Sequence, residues 1–85
     1  MTVSEAIAKL TAKVTSKDLP MLMKILKPEQ LTLAMNAIAG SKMKNEKMTE
    51  DLGKQFIKSL TPPQLAEFGA IVGKDLVVEL LKAAK

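Results

Sequence analysis

The apolar residues of this 85-residue chain recur at spacings of three and four from Val3 to Ala84. No stretch sustains a period of two. This pattern constrains the fold more than any other feature, because it calls for amphipathic α-helices and leaves no credible strand. Proline, threonine and glycine cut the pattern into short pieces. The expected fold is therefore all-α, a small bundle of five or six short helices.

The cuts place the helix boundaries. Thr2 and Glu5 have the spacing of a capping box, in which a side-chain oxygen and a backbone N–H pair at each end. Val3, Ala6, Ile7, Leu10 and Val14 then form the stripe of a first helix over about 3–13. Thr15 and Ser16 interrupt it. A second helix is expected over about 17–26, with Asp18 in its first turn, Pro20 near its start, and Leu19, Leu22, Met23 and Leu26 inward. Pro28 opens a third helix with Leu31, Ala34, Met35 and Ile38 as its inward stripe and Gly40 as its stop.

Residues 41–47 carry three lysines, one acid and one apolar side chain, and read as a mobile basic loop between two halves. Thr49 is then expected to cap a fourth helix lined by Leu52, Phe56, Ile57 and Leu60. Thr61-Pro62-Pro63-Gln64 is the clearest local signal: a Thr cap, Pro at the first helical position, and Gln placed to return the capping bond. Leu65, Phe68, Ile71 and Val72 form the inward side of a fifth helix, which ends or bends at Gly73. A sixth carries Leu76, Val77, Leu80, Leu81 and Ala84, with Lys82 and Lys85 at its negative end.

Residues 24–31 and 58–65 align at an offset of 34 and share Lys, Leu, Pro, Gln and Leu. The shared residues describe a helix ending at a Leu, a Pro restart, and a first inward Leu. Two similar helical hairpins account for this, and so does the reuse of one capping chemistry at two joints. The offset equals the tetratricopeptide period, but that repeat's aromatic and small-residue signature is missing.

A chain of this length supports one core, so residues 1–85 read as a single helical domain. There is no Cys, His, Trp or Tyr. The sequence thus lacks disulfides, thiolate ligands, cysteine nucleophiles, and both the commonest metal ligand and the commonest general base near neutral pH. Its four glycines are scattered and form no phosphate-binding loop. Gly69 and Gly73 have the spacing that lets a neighbouring helix approach closely. Glu46, Glu50 and Asp51 read as ordinary acids at a helix start. No catalytic residue, metal site, cofactor or small-molecule substrate is expected, and the chain reads as a non-enzyme.

The expected function is protein–protein interaction, as a small adaptor, inhibitor or structural accessory. Leu19, Met21, Leu22, Met23, Ile25 and Leu26 put apolar side chains on more than one face of a short helix. Methionine is flexible and polarizable, which suits an adaptable contact surface. The candidate binding residues are Leu19, Met21, Met23, Ile25 and Leu33. The partner is another protein or a second copy in a homodimer.

The alternative is weak, nonspecific nucleic-acid binding through Lys42, Lys44, Lys47, Lys54 and Lys58. The net charge of +4 favours it. Against it, all thirteen basic residues are Lys, so the chain has no guanidinium fork for bases or phosphates. Both Phe fall on apolar stripes rather than on a stacking surface. No stretch approaches the length of a membrane span, and Glu5 sits where a secretory leader would be basic. No membrane partner is expected, and the expected location is the cytoplasm.

Overall fold

Helix α1 spans Val3–Lys13, α2 Leu19–Ile25, α3 Pro28–Lys42, α4 Glu46–Ser59, α5 Pro62–Val72 and α6 Lys74–Ala83 in a computed structural model that describes residues 1–85. The chain is a small all-α bundle without strands. The central helices α1, α3 and α4 pack on one another, and α6 closes against α1, α4 and α5. The short α2 packs mainly on α3 and α5. No helix is long and apolar enough to cross a membrane.

The first helix begins as its sequence dictates. The Thr2 N–H donates to Glu5 Oε1 at 2.9 Å, and the Glu5 N–H donates to Thr2 Oγ1 at 3.1 Å. The Thr2 backbone N–H first, and then the Thr2 hydroxyl, favour the charged Glu5 carboxylate and hold it below the ordinary carboxylate range. A further cap arrives from α4, where the Glu50 carboxylate accepts from the Ser4 N–H. Val3, Ala6, Ile7 and Leu10 are buried, as the stripe requires.

Phe56 and Phe68 are both fully enclosed and meet edge to face, with centroids 5.4 Å apart and planes at 76°. Burying each ring stabilises the fold by about 1.5–3 kcal/mol, and the edge-to-face geometry adds about 0.5–1.5 kcal/mol. Ile7, Leu10, Ile57 and Leu80 complete the centre of the core.

Four expectations around α3 and α4 differ from the structure. Gly40 does not stop α3. It lies inside the helix, and a Cβ there would come within 2.9 Å of Thr49 Oγ1. Ala34, Ala37 and Gly40 form a small-residue face that lets α3 approach its neighbours closely. This turns Met35 outward and leaves Leu31 and Ile38 only half-buried. Residues 41–47 are not one loop. Ser41 and Lys42 belong to α3, Glu46 and Lys47 belong to α4, and the connection is only residues 43–45. Asn45 caps α4 through the Met48 N–H, while Thr49 is buried and donates to Asn45 O. Lys44 makes the sharp reversal at φ 58°, in the left-handed region.

α2 starts at Leu19, two residues later than its pattern predicts, because Asp18 is used in a preceding turn. Its carboxylate accepts from the Thr15 N–H at 3.0 Å. α5 and α6 are joined by Gly73 alone, at φ 102°, a conformation that favours glycine. Lys13 reaches this joint and donates to Val72 O at 3.3 Å. Gly69 lies buried toward α6, where a Cβ would meet Lys74 and Val77 at ordinary contact distances.

The two joints aligned by sequence are bonded alike. Leu26 and Leu60 are both buried, and Gln30 and Gln64 both hold the N–H that opens their own helix, Lys27 and Thr61. Each amide nitrogen then crosses to the other hairpin. Gln30 donates to Ser59 O at 2.8 Å and Gln64 donates to Ile25 O at 2.9 Å. Ser59 and Ile25 are themselves 34 residues apart, so the bonding is reciprocal.

Candidate functional site

α2 spans barely two turns, and its sequence makes three of its sides apolar. Leu22 and, just past its end, Leu26 point into the core. Helical spacing puts Met21 and Ile25 on one shoulder and Leu19 and Met23 on the other. Only Pro20 and Lys24 occupy the crest between them. A helix so lightly covered leaves its shoulders open, and Met21 is 53% exposed and Met23 62%.

The Met21–Ile25 shoulder faces α5. With Ala70 and Ile71 it forms a shallow apolar groove, bordered by Lys24 on the α2 wall and Glu67 on the α5 wall. The two walls are tied by the bond from Gln64 of α5 to Ile25 O of α2. Neither rim charge has an ion-pair partner; the one ion pair of the chain, Lys9–Glu79 at 3.8 Å, lies elsewhere.

The other shoulder faces the end of α1 and the middle of α3. Leu19 there borders a second hollow with Val14, Met35, Ile38 and Lys42. Met23 lines neither hollow. Leu33 is half-buried against the core, seven residues before Gly40 and so on the side of α3 that packs on α4. Of the five residues singled out from sequence, Met21 and Ile25 come together, Leu19 and Met23 share the opposite shoulder, and Leu33 joins neither.

Sequence reasoning missed Glu67, Ala70, Ile71 and Met35 as surface partners of α2. The signal was present in α5: Glu67 is its only charged residue in eleven, yet Pro63, Ala66 and Ala70 face outward. Methionine also marks the surface. Five of the six methionines are exposed, and Val78 is the only other large hydrophobic side chain that is.

The lysines do not converge. Lys47, Lys54 and Lys58 follow one stripe of α4, with Asp51 set among them. Lys42 borders the hollow beside Leu19, and Lys44 borders a polar hollow with Ser4, Ser41 and Glu46. Asp, Glu, His and Cys side chains nowhere gather in threes that could hold a metal ion. Glu50, one of the densest acids in the sequence, is occupied as the cap of α1.

Comparison with protein-family models, with curated proteins and with solved structures finds no match for this chain.

Proposed function

We propose that this chain is a non-catalytic protein-interaction module of the cytoplasm that docks its partner on the α2–α5 face. The observation that carries this reading is the apolar groove of Met21, Ile25, Ala70 and Ile71 between two helices whose outer surfaces hold almost no charge. Solvated helices ordinarily carry charged residues opposite their buried stripe. An outward face with a single charge on each helix has the charge-poor composition of a surface that is covered. Methionine at the edge allows the contact to adapt in shape. The matching bonds at the two joints support reading the hairpins as copies of one unit, with α2 the short copy whose shoulders remain for a partner.

The nucleic-acid reading has weaker support. Its five lysines point to three different parts of the surface, and Asp51 dilutes the only stripe.

Site-specific photo-crosslinking in cells tests the proposal. A benzophenone side chain is placed at position 21, and in a second variant at position 54 on the lysine stripe. A discrete protein adduct at 21 that is absent at 54 and lost with Ile25→Asp is the expected result. Adducts at 54 alone, or none at 21, would overturn it.

A further inference from the structure

We infer that the α2–α5 groove is closed by a second copy of this chain, in a two-fold dimer that crosses α2 of each copy over α5 of the other. This rests on the docking face proposed above and names its occupant. The two rim charges sit on opposite walls of the groove. One wall carries Met21, Lys24 and Ile25, and the other carries Glu67, Ala70 and Ile71. A two-fold axis running along the groove, in the plane of the interface, lays the first wall of each copy on the second wall of the other. Apolar side chains then meet apolar side chains across the axis, and Lys24 of each copy faces Glu67 of the other. The surface is complementary to itself in both charge and polarity.

Two further observations fit a like partner. Lys24 and Glu67 are exposed and have no ion-pair partner within the chain, so both remain available across an interface. The outer ridge of α5 is Pro63, Ala66 and Ala70, small or flat side chains that let another helix approach without a charge to desolvate. The net charge of +4 opposes self-association in general, but the groove itself is balanced, with one charge of each sign.

Charge reversal tests the pairing directly, by sedimentation equilibrium of the purified full chain. Wild type is expected to dimerise within concentrations up to about 1 mM. Lys24→Glu sets two acids together at both contacts, and Glu67→Lys sets two lysines together. Each is expected to raise the dimer dissociation constant by about tenfold or more. Both positions are exposed, and circular dichroism checks that the variants remain folded. An equimolar mixture of the two variants is expected to associate again, because the mixed pair has opposite charges at both contacts. A wild type that stays monomeric would sink the proposal, as would single reversals without effect or a mixture that fails to associate. A monomeric wild type that still gives an adduct with a different protein at position 21 would leave the docking face standing and end only the dimer. Monomeric behaviour with no adduct would end both.

Discussion

Gln30 and Gln64 exchange hydrogen bonds across the joint of the two hairpins, each amide nitrogen donating to the other's oxygen at 3.1 and 2.7 Å. Each oxygen also accepts the N–H that opens its own helix, both at 2.9 Å, and each nitrogen also donates to a carbonyl of the opposite hairpin. Two donors and two acceptor sites on each side chain are all used. Gln30 is only 6% exposed, and no buried side-chain polar atom of the chain is left unpaired. A closed polar network of this kind aligns the ends of α2 and α4 on the starts of α5 and α3, and so sets the width of the groove.

Gln30→Ala and Gln64→Ala are each expected to destabilise the fold by about 2 kcal/mol, since each strands buried donors and acceptors. The two are in contact, so the double variant should lose less than the sum, with a coupling of about 0.5–3 kcal/mol. Urea unfolding of the four proteins reads this. Additive losses would mean that the pair does not act as a unit.

Gly53 and Gly69 both lie inside helices, yet alanine should act oppositely at the two. A Cβ at Gly53 would come within 2.6 Å of Val3 Cγ1 and 3.0 Å of Ile7 Cγ1, whereas at Gly69 the nearest atom is 3.6 Å away. Gly69→Ala should gain about 0.5–1 kcal/mol from helix propensity. Gly53→Ala should lose about 1–3 kcal/mol by forcing α1 away from α4. Thermal melts that move in the same direction for both variants would refute the close approach.

Glu5 links stability to pH. Its carboxyl titrates below its unfolded value because the Thr2 bonds favour the charged form. The resulting stabilisation is fully present above the unfolded value of about 4.3 and disappears as pH falls through the lower folded value. Glu5→Gln removes this titration. The melting-temperature advantage of wild type over Glu5→Gln should therefore shrink as pH falls from about 6 to about 3. An advantage that stays constant over that range would contradict the capping box as its source.

The scattered lysines lead to an expected negative. Mixed-sequence DNA or RNA at about 50 mM salt should give no saturable binding in fluorescence anisotropy, because no surface gathers enough lysines to release many counterions. Saturable binding that weakens steeply with salt, and that is lost when Lys47, Lys54 and Lys58 are changed together, would restore the nucleic-acid reading.

What could be read from the chain alone was local. The apolar period marked out six helices, and the Thr2–Glu5 and Thr61–Gln64 boxes located two starts, because a cap is made within four residues of itself. Pro28 likewise located the start of α3. The errors arose where distant residues compete. Gly40 looks like a helix stop in sequence, but Thr49 packs against it, so its missing side chain serves an interhelical approach instead. Asn45 caps α4 in place of Thr49 because Thr49 is buried under that same contact. The outward turn of Met35 follows from packing on the small face of Ala34, Ala37 and Gly40, which no periodicity distinguishes from a Leu–Met–Ile stripe. The candidate surface divides in the same way. Met21 and Ile25 stand out as excess apolar residues on a short helix, whereas their opposite wall, Glu67, Ala70 and Ile71, lies more than forty residues on and meets them only because the reciprocal glutamines bring α2 and α5 together.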